Sequence, residues 1–196
     1  MSKALFTKLQ TKDHDSGLLA RIAAKDRQAL EALYLGYHRR LARFLSRFTQ
    51  SYENVEEIIN DTFMVVWQSA PQFRHDSQVS TWILGIAYRT ALKSLRRLKR
   101  HTTAINLEDA AEPSVNPGHD TELQDWVARA LQGLSEEQRL TLELAYQMGH
   151  SLEEIAAITA APIGTVKARM YHARERLRHY LPALGGGDAG MPSRSE

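Results

Sequence analysis

SLEEIAAITAAPIGTVKARMYHARERLR, residues 151–178, is the stretch that decides the fold. Ser151 followed three residues later by Glu154 has the form of a capping box and predicts a helix start. Ile155, Ala156 and Ile158 supply the apolar side of that helix. Pro162 has no backbone N–H and disfavours helix at Ala161, so the helix has to stop there. A second helix is predicted from about Thr165, because Val166, Met170, Ala173 and Leu177 recur at spacings of four, three and four. Its other face carries Lys167, Ala168, Tyr171, His172 and Glu175, with Arg169, Arg174, Arg176 and Arg178 on the flanks. A basic amphipathic helix alone would read as a solvated face. Preceded by a capped helix and a tight turn, it reads as the second helix of a DNA-binding helix-turn-helix.

The whole chain has 196 residues, 43% of them hydrophobic, enough for one or two packed domains. It has no cysteine, which excludes disulfides and thiolate zinc sites. The N-terminal MSKALFTKLQTKDHD turns polar within a few residues, so it does not read as a secretory leader. No apolar run approaches the ~20 residues of a membrane span. The expectation is a soluble, cytoplasmic protein with no membrane span.

The formal net charge of +2 conceals where the charges lie. Between residues 88 and 100 stand Arg89, Lys93, Arg96, Arg97, Lys99 and Arg100, with no acid among them. Between residues 108 and 125 stand Glu108, Asp109, Glu112, Asp120, Glu122 and Asp125, with no Lys or Arg. Two basic segments separated by an acidic one suggest two places that touch phosphates and a middle that does not.

Helical periodicity dominates elsewhere. A short helix is predicted over 17–24. Asp26 is placed to cap a longer one through about Phe48, with Ala29, Leu30, Leu33, Tyr37, Leu41, Phe44, Leu45 and Phe48 as its stripe. Asn54 and Glu57 have the form of a second capping box, opening a helix that carries Val55, Ile58, Ile59, Phe63, Val66 and Trp67 and stops near Pro71. A polar loop over 72–78 follows. Ser80 is then expected to cap a helix from Thr81 to about Leu98. Residues 101–120 lack periodicity and read as a flexible acidic linker, at most about 70 Å long if extended. A helix over about 121–133 follows, then a third capping box at Ser135 and Gln138 that opens a helix to about Met148, ended by Gly149. The tail from 183 to 196 reads as disordered. The predicted architecture is all-α: two helical domains, 16–100 and 121–182, the second with the helix-turn-helix.

Taken together, VEEIINDTFMVVW, FRHDSQVSTWILGIAYRTALKSLRR and LSEEQRLTLELAY, followed by the helix-turn-helix, resemble the extracytoplasmic-function sigma factors of the sigma-70 family. The resemblance runs over about residues 16–181. The first two segments follow the family's region 2 and the last its region 4, in the right order and with the right linker between them. The resemblance implies a dissociable specificity subunit that binds core RNA polymerase at its clamp helices and flap, reads promoter DNA, and is held inactive by an anti-sigma factor. No cofactor and no metal are expected.

Residue by residue, the resemblance places Asn60, Asp61 and Phe63 in the helix that binds core polymerase. It places Phe73, Arg74, His75, Asp76 and Ser77 in the loop that captures a flipped −10 base, with Trp82 beside the melting strand. An unstacked base needs a π-surface and polar edges, which these residues supply. Phe73 and Trp82 would serve equally as plain core residues. Arg89, Lys93, Arg96 and Arg97 follow as −10 phosphate contacts on an acid-free helix. In region 4, Lys167, Ala168, Tyr171 and His172 take the base-facing positions for the −35 element, and Thr165 and Arg169 the phosphate-facing ones. Two positions depart from the family pattern. Arg89 stands where asparagine is common, and Ala160 stands in the turn where glycine is frequent. If that turn needs positive φ, alanine costs ~1 kcal/mol or more.

Two other classes compete. A conventional regulator with a sensing or dimerising N-terminal bundle would have no use for the acid-free basic helix ending at Arg100. A helical enzyme is disfavoured because the eight histidines are scattered and neither an HExxH motif nor a glycine-rich phosphate loop occurs.

Overall fold

The computed structural model describes residues 3–105 and 133–180, and the side chains of 13–98 and 133–178. Among the described residues there are seven α-helices and no strand: α1 (Lys3–Ala23), α2 (Arg27–Leu45), α3 (Tyr52–Ser69), α4 (Val79–Ile105), α5 (Glu136–Tyr146), α6 (Leu152–Thr159) and α7 (Ile163–Tyr180). By packing the chain divides into two units, Met1–Ser114 with Glu153–Ala161, and Val115–Leu152 with Pro162–Glu196. The fold is therefore all-α.

In the first unit, helices that follow one another in the chain pack together: α1 on α2, α2 on α3, and α3 on α4. Their fully buried side chains include Leu19 and Ile22 from α1, Leu33, Leu41 and Leu45 from α2, Ile58 and Ile59 from α3, and Ile83 and Leu84 from α4. Removing each such side chain from water contributes about 1.5–3 kcal/mol. Asp26 caps α2 as expected. It is extended (φ −79°, ψ 109°), and its carboxylate accepts from the N–H groups of Gln28 and Ala29 at 2.9 and 3.2 Å. The Arg21 guanidinium beside it holds that carboxyl below the usual carboxylate range. Inside the bundle Tyr37 donates to the buried Asp15 at 2.5 Å, and Ser80 bonds the same phenol. Burial, then the Asp15 hydrogen bond, raise the Tyr37 pKa far above its ordinary value.

Several expected boundaries move. Ser51, not Asn54, caps α3, and its hydroxyl accepts from the Asn54 N–H at 3.3 Å. Both residue types cap well. The backbone decides, because Ser51 is the one in extended geometry (φ −73°, ψ 117°). A single 3₁₀ turn, Ala70–Gln72, closes α3 at Pro71. Ser80 does not cap α4, which already begins at Val79. Instead, its hydroxyl ties the first turn of α4 to Tyr37. α4 also continues to Ile105, into the stretch read as linker, and α1 starts at Lys3 rather than at Gly17. The remaining linker over 106–120, the helix predicted over 121–132 and the tail over 183–196 lie outside the described residues.

In the second unit the third capping box forms in full: Ser135 accepts from the Gln138 N–H at 3.3 Å and Gln138 from the Ser135 N–H at 3.1 Å. Gly149 has a φ of 70° and takes the left-handed position after α5. α5 packs on α7. Between them Leu134, Leu142, Met170 and Ala173 are buried, with Ala145, Leu152 and Leu177 at the margin.

The turn between α6 and α7 forms as read. α6 ends at Thr159, the Ala161 N–H returns to the Ala156 carbonyl at 3.1 Å, and the Pro162 carbonyl accepts from Val166 at 3.1 Å to open α7. Ala160 sits at φ 52°, where its Cβ costs about 1–2 kcal/mol relative to glycine.

Candidate polymerase and nucleic-acid interface

Three places bring the expected residues together. The first is the outer side of α3. Asn60 and Asp61 are exposed there, and Asn60 accepts a hydrogen bond from the Tyr34 hydroxyl at 3.3 Å. Phe63 does not join them. It is 4% exposed and packs on Tyr34 with ring centroids 5.0 Å apart, so it faces the core and not a partner. The period of the helix puts Phe63 with Ile59 and Val66 on the inner face, and that excludes it from direct contact. Two apolar side chains that sequence reading passed over are exposed here: Met64 on α3 (56%) and Leu35 on α2 (68%). His38 is tied to Glu56 at 2.9 and 3.0 Å and stacks on Tyr34 at 5.4 Å, which locks α2 against α3 beneath this face.

The second place is the break between α3 and α4. Phe73 and Trp82 are half-buried, and their rings lie 5.0 Å apart. His75 stands edge-on to Phe73 at 4.7 Å, with its backbone at φ 59°. A non-glycine residue held in that region is strained unless its surroundings demand it. Three aromatic rings, two from the loop and Trp82 from the first turn of α4, are thus gathered together, flanked by the exposed Arg74–Asp76 ion pair at 3.2 Å and by Ser77. Such a set can take a base between rings and offer polar edges to it.

Arg89, Lys93, Arg96 and Arg97 are all exposed along α4. Arg89 bends back toward Gly85, and partial desolvation lowers its pKa from the ordinary value. Arg97 turns the other way. It pairs with Glu57 of α3 at 2.6 Å, a hydrogen bond that raises its pKa, with Asp61 adding to the attraction. Arg97 therefore lies between the acids of α3 and the basic row of α4. The two residues are 40 positions apart, so no local pattern announces the pair.

The third place is α7. Val166, Met170 and Ala173 are 0%, 3% and 0% exposed. Lys167, Ala168, Tyr171 and His172 all face outward, as does Thr165, and Arg169 is half-buried at the edge. Tyr171 and His172 meet edge-on at 5.4 Å. Arg174 is tied to Tyr146 of α5, a residue that the sequence did not single out.

Residues 33–101 match the family Sigma-70 region 2, and residues 124–177 match Sigma-70, region 4. The chain is 34% identical over 173 residues to the ECF RNA polymerase sigma factor SigM of Mycobacterium tuberculosis, covering 88% of this chain and 87% of that protein. It is 31% identical over 183 residues to the ECF RNA polymerase sigma-E factor of Escherichia coli, covering 87% of this chain and 95% of that one. Among solved structures, CnrH in complex with the cytosolic domain of CnrY shares the fold, with a TM-score of 0.60 at 24% identity over 88% of this chain and 99% of that one. The sigma factor RpoE of Bartonella quintana, in complex with the anti-sigma factor NepR, gives a TM-score of 0.57 at 27% identity over 79% of this chain and 97% of that one.

Two sigma-70 regions in one helical chain define a transcription initiation factor of the sigma-70 class. Within that class, the chain belongs to the ECF RNA polymerase sigma factors. It is an alternative sigma factor, directing core RNA polymerase to particular promoters. Among the described residues no helix is long and apolar enough to cross a membrane.

Proposed function

We propose that the three places divide the work of initiation. The outer side of α3, with Asn60, Asp61 and the exposed Met64, docks on core polymerase. Phe73, His75 and Trp82 capture a base of the opened −10 element, while Arg89, Lys93 and Arg96 follow the backbone of the same strand. α7 reads the −35 element through Lys167, Ala168, Tyr171 and His172, with Thr165 and Arg169 on phosphates. Residues of about 16–100 thus serve the polymerase and the −10 element, and those of about 121–182 the −35 element. The protein works in the cytoplasm, where its polymerase is, carries out no chemistry of its own, and responds to a stress or envelope signal. An anti-sigma factor holds it inactive, as the complex of the Bartonella relative suggests.

The observation that carries this reading is the alternation along α7. With Val166, Met170 and Ala173 buried, the basic and aromatic side chains have to project together into solvent. The test mixes the full chain with core polymerase and a library of upstream regions. Promoter-dependent transcripts above the core-alone background are expected. No such transcript, and no complex on gel filtration, would overturn the proposal. Asp61→Ala should weaken core binding, since a carboxylate near the basic helix suits a basic protein surface better than DNA.

A further inference from the structure

The base-facing side chains of α7 occupy its first turns, yet the helix continues basic to Arg178. Three arginines of the later turns have different partners. Arg178 pairs with Glu175, which offsets its charge. Arg176 donates to the Gly133 carbonyl at 2.5 Å and fastens α7 to the turn before α5. Arg174 donates its Nε–H to the Tyr146 hydroxyl at 2.9 Å, and its guanidinium carbon lies 5.7 Å from the centre of that ring. Both of those partners are neutral. Arg174 thus keeps its full charge, and Tyr146 engages its Nε while the two Nη groups remain the outer end of an exposed side chain. A guanidinium held in this way is prepared to grip a phosphate through its Nη edge.

The position fits that use. Lys167, Tyr171, Arg174 and Arg178 follow one another at spacings of four, three and four, and all line one groove of about 300 Å³ beside α7. Arg174 is one turn beyond Tyr171, about 4.5 Å further along the axis. Glu175 lines the same groove, where its charge is taken up by Arg178. Tyr146 is 66% exposed on α5, and its partners are the Arg174 side chain.

We propose that Arg174 is a further DNA contact of this sigma factor, made to a backbone phosphate at the edge of the upstream element, and that Tyr146 is the positioning residue that aims it. The proposal rests on the reading of α7 as the upstream-element helix. It brings α5 into DNA binding through a side chain that never touches the duplex.

The test uses holoenzyme made with the full chain, bound to a promoter fragment selected from the library and to a random-sequence duplex, over a range of salt. Arg174→Gln should weaken both duplexes alike and lower the salt slope by about one unit. Arg174→Lys should keep the slope while recovering only part of the affinity, because it retains the charge without the fork. Tyr146→Phe removes the hydroxyl and keeps the ring. It should weaken binding by about two- to tenfold with the slope unchanged, and should add nothing once Arg174 is glutamine. Wild-type slope and affinity in Arg174→Gln, with circular dichroism showing an intact fold, would overturn the contact. A Tyr146→Phe loss that persists in the Arg174→Gln background would overturn the positioning role. If the wild type failed to distinguish the two duplexes, the reading of α7 itself would fall; if it distinguished them and Arg174→Gln matched it, only the present proposal would.

Discussion

The loop that joins α3 to α4 and the helix α7 hold the two proposed DNA-facing sets, and they are built in opposite ways. Around the loop Phe73 and Trp82 are half-buried, the exposed His75 leans on Phe73, the rings lie 4.7 and 5.0 Å apart, and His75 has a strained backbone at φ 59°. In α7 the backbone is regular, the side chains are exposed with only Tyr171 and His172 meeting edge-on, and the strain lies before the helix begins, at Ala160 with φ 52°. The difference matches what each set is proposed to meet. A base out of its stack loses ring contacts and needs replacement surfaces already in place. A duplex keeps its bases stacked and presents edges along a groove, for which a rigid helix with protruding donors suffices. Strain that shapes a pocket is tied to function; strain that merely turns the chain is not.

The largest expected effect comes from the loop. Phe73→Ala combined with Trp82→Ala removes both large ring faces and should reduce promoter opening by roughly 100-fold, scored by permanganate reactivity of the opened thymines. Binding to the upstream duplex should persist. If upstream binding falls and opening does not, the contrast between the two sets is inverted.

Next in size is the division of roles within α7. Lys167→Ala should relax preference at one position of the upstream element, by about 1–3 kcal/mol against the favoured base. Arg169→Ala should weaken every sequence similarly and lower the salt slope by about one unit. Binding to a randomised upstream element at two salt concentrations separates them, and an equal loss on all sequences from Lys167→Ala would exchange the two roles.

A pair of glycine substitutions tests the two strained residues directly. Ala160→Gly relieves the backbone and removes no contact that reads DNA. It should stabilise α6 and α7 by about 1 kcal/mol, seen as slower amide exchange, with promoter activity kept. His75→Gly relieves a similar strain but deletes a ring of the aromatic set, so opening should fall although the fold holds. Equal behaviour of the two would remove the distinction between functional and incidental strain.

The smallest effect is expected at the Glu57–Arg97 pair. It is an exposed ion pair, and such pairs are weak. Glu57→Gln releases Arg97 toward DNA and should raise affinity for an opened −10 strand by less than about fivefold, measured by fluorescence anisotropy of a single-stranded oligonucleotide bound to holoenzyme. A loss of affinity would instead mean that Arg97 needs Glu57 to hold it in place.

Much of the molecule was legible from the sequence because its determinants are local. The Ser135–Gln138 box, the Asp26 cap, the stop at Pro162 and the inward stripe of α7 each depend on residues within a turn or two of one another. Where local signals were duplicated, reading them failed. Ser51 and Asn54 are both good caps, and only the extended backbone at Ser51 chose between them. Ser80 looked like a cap because it precedes an apolar run, but packing had already begun the helix at Val79. The candidate sites divide in the same manner. Lys167, Ala168, Tyr171 and His172 face outward because periodicity requires it. Phe63 shares a motif with Asn60 and Asp61, and the motif alone does not say that Tyr34 covers it.

What the sequence by itself determined is thus the all-α class, the helix-turn-helix, the basic rows and the family to which they belong. These follow from spacing, capping chemistry and the rigid geometry of proline, all of which act over a few residues. Only the tertiary structure decided that Phe73, His75 and Trp82 meet in one cluster, that Arg97 leans on Glu57 40 residues away, and that Tyr146 holds Arg174 across 28. Each of those contacts joins separate elements. Its geometry depends on how the apolar faces of the helices pack, and a linear pattern cannot carry that information.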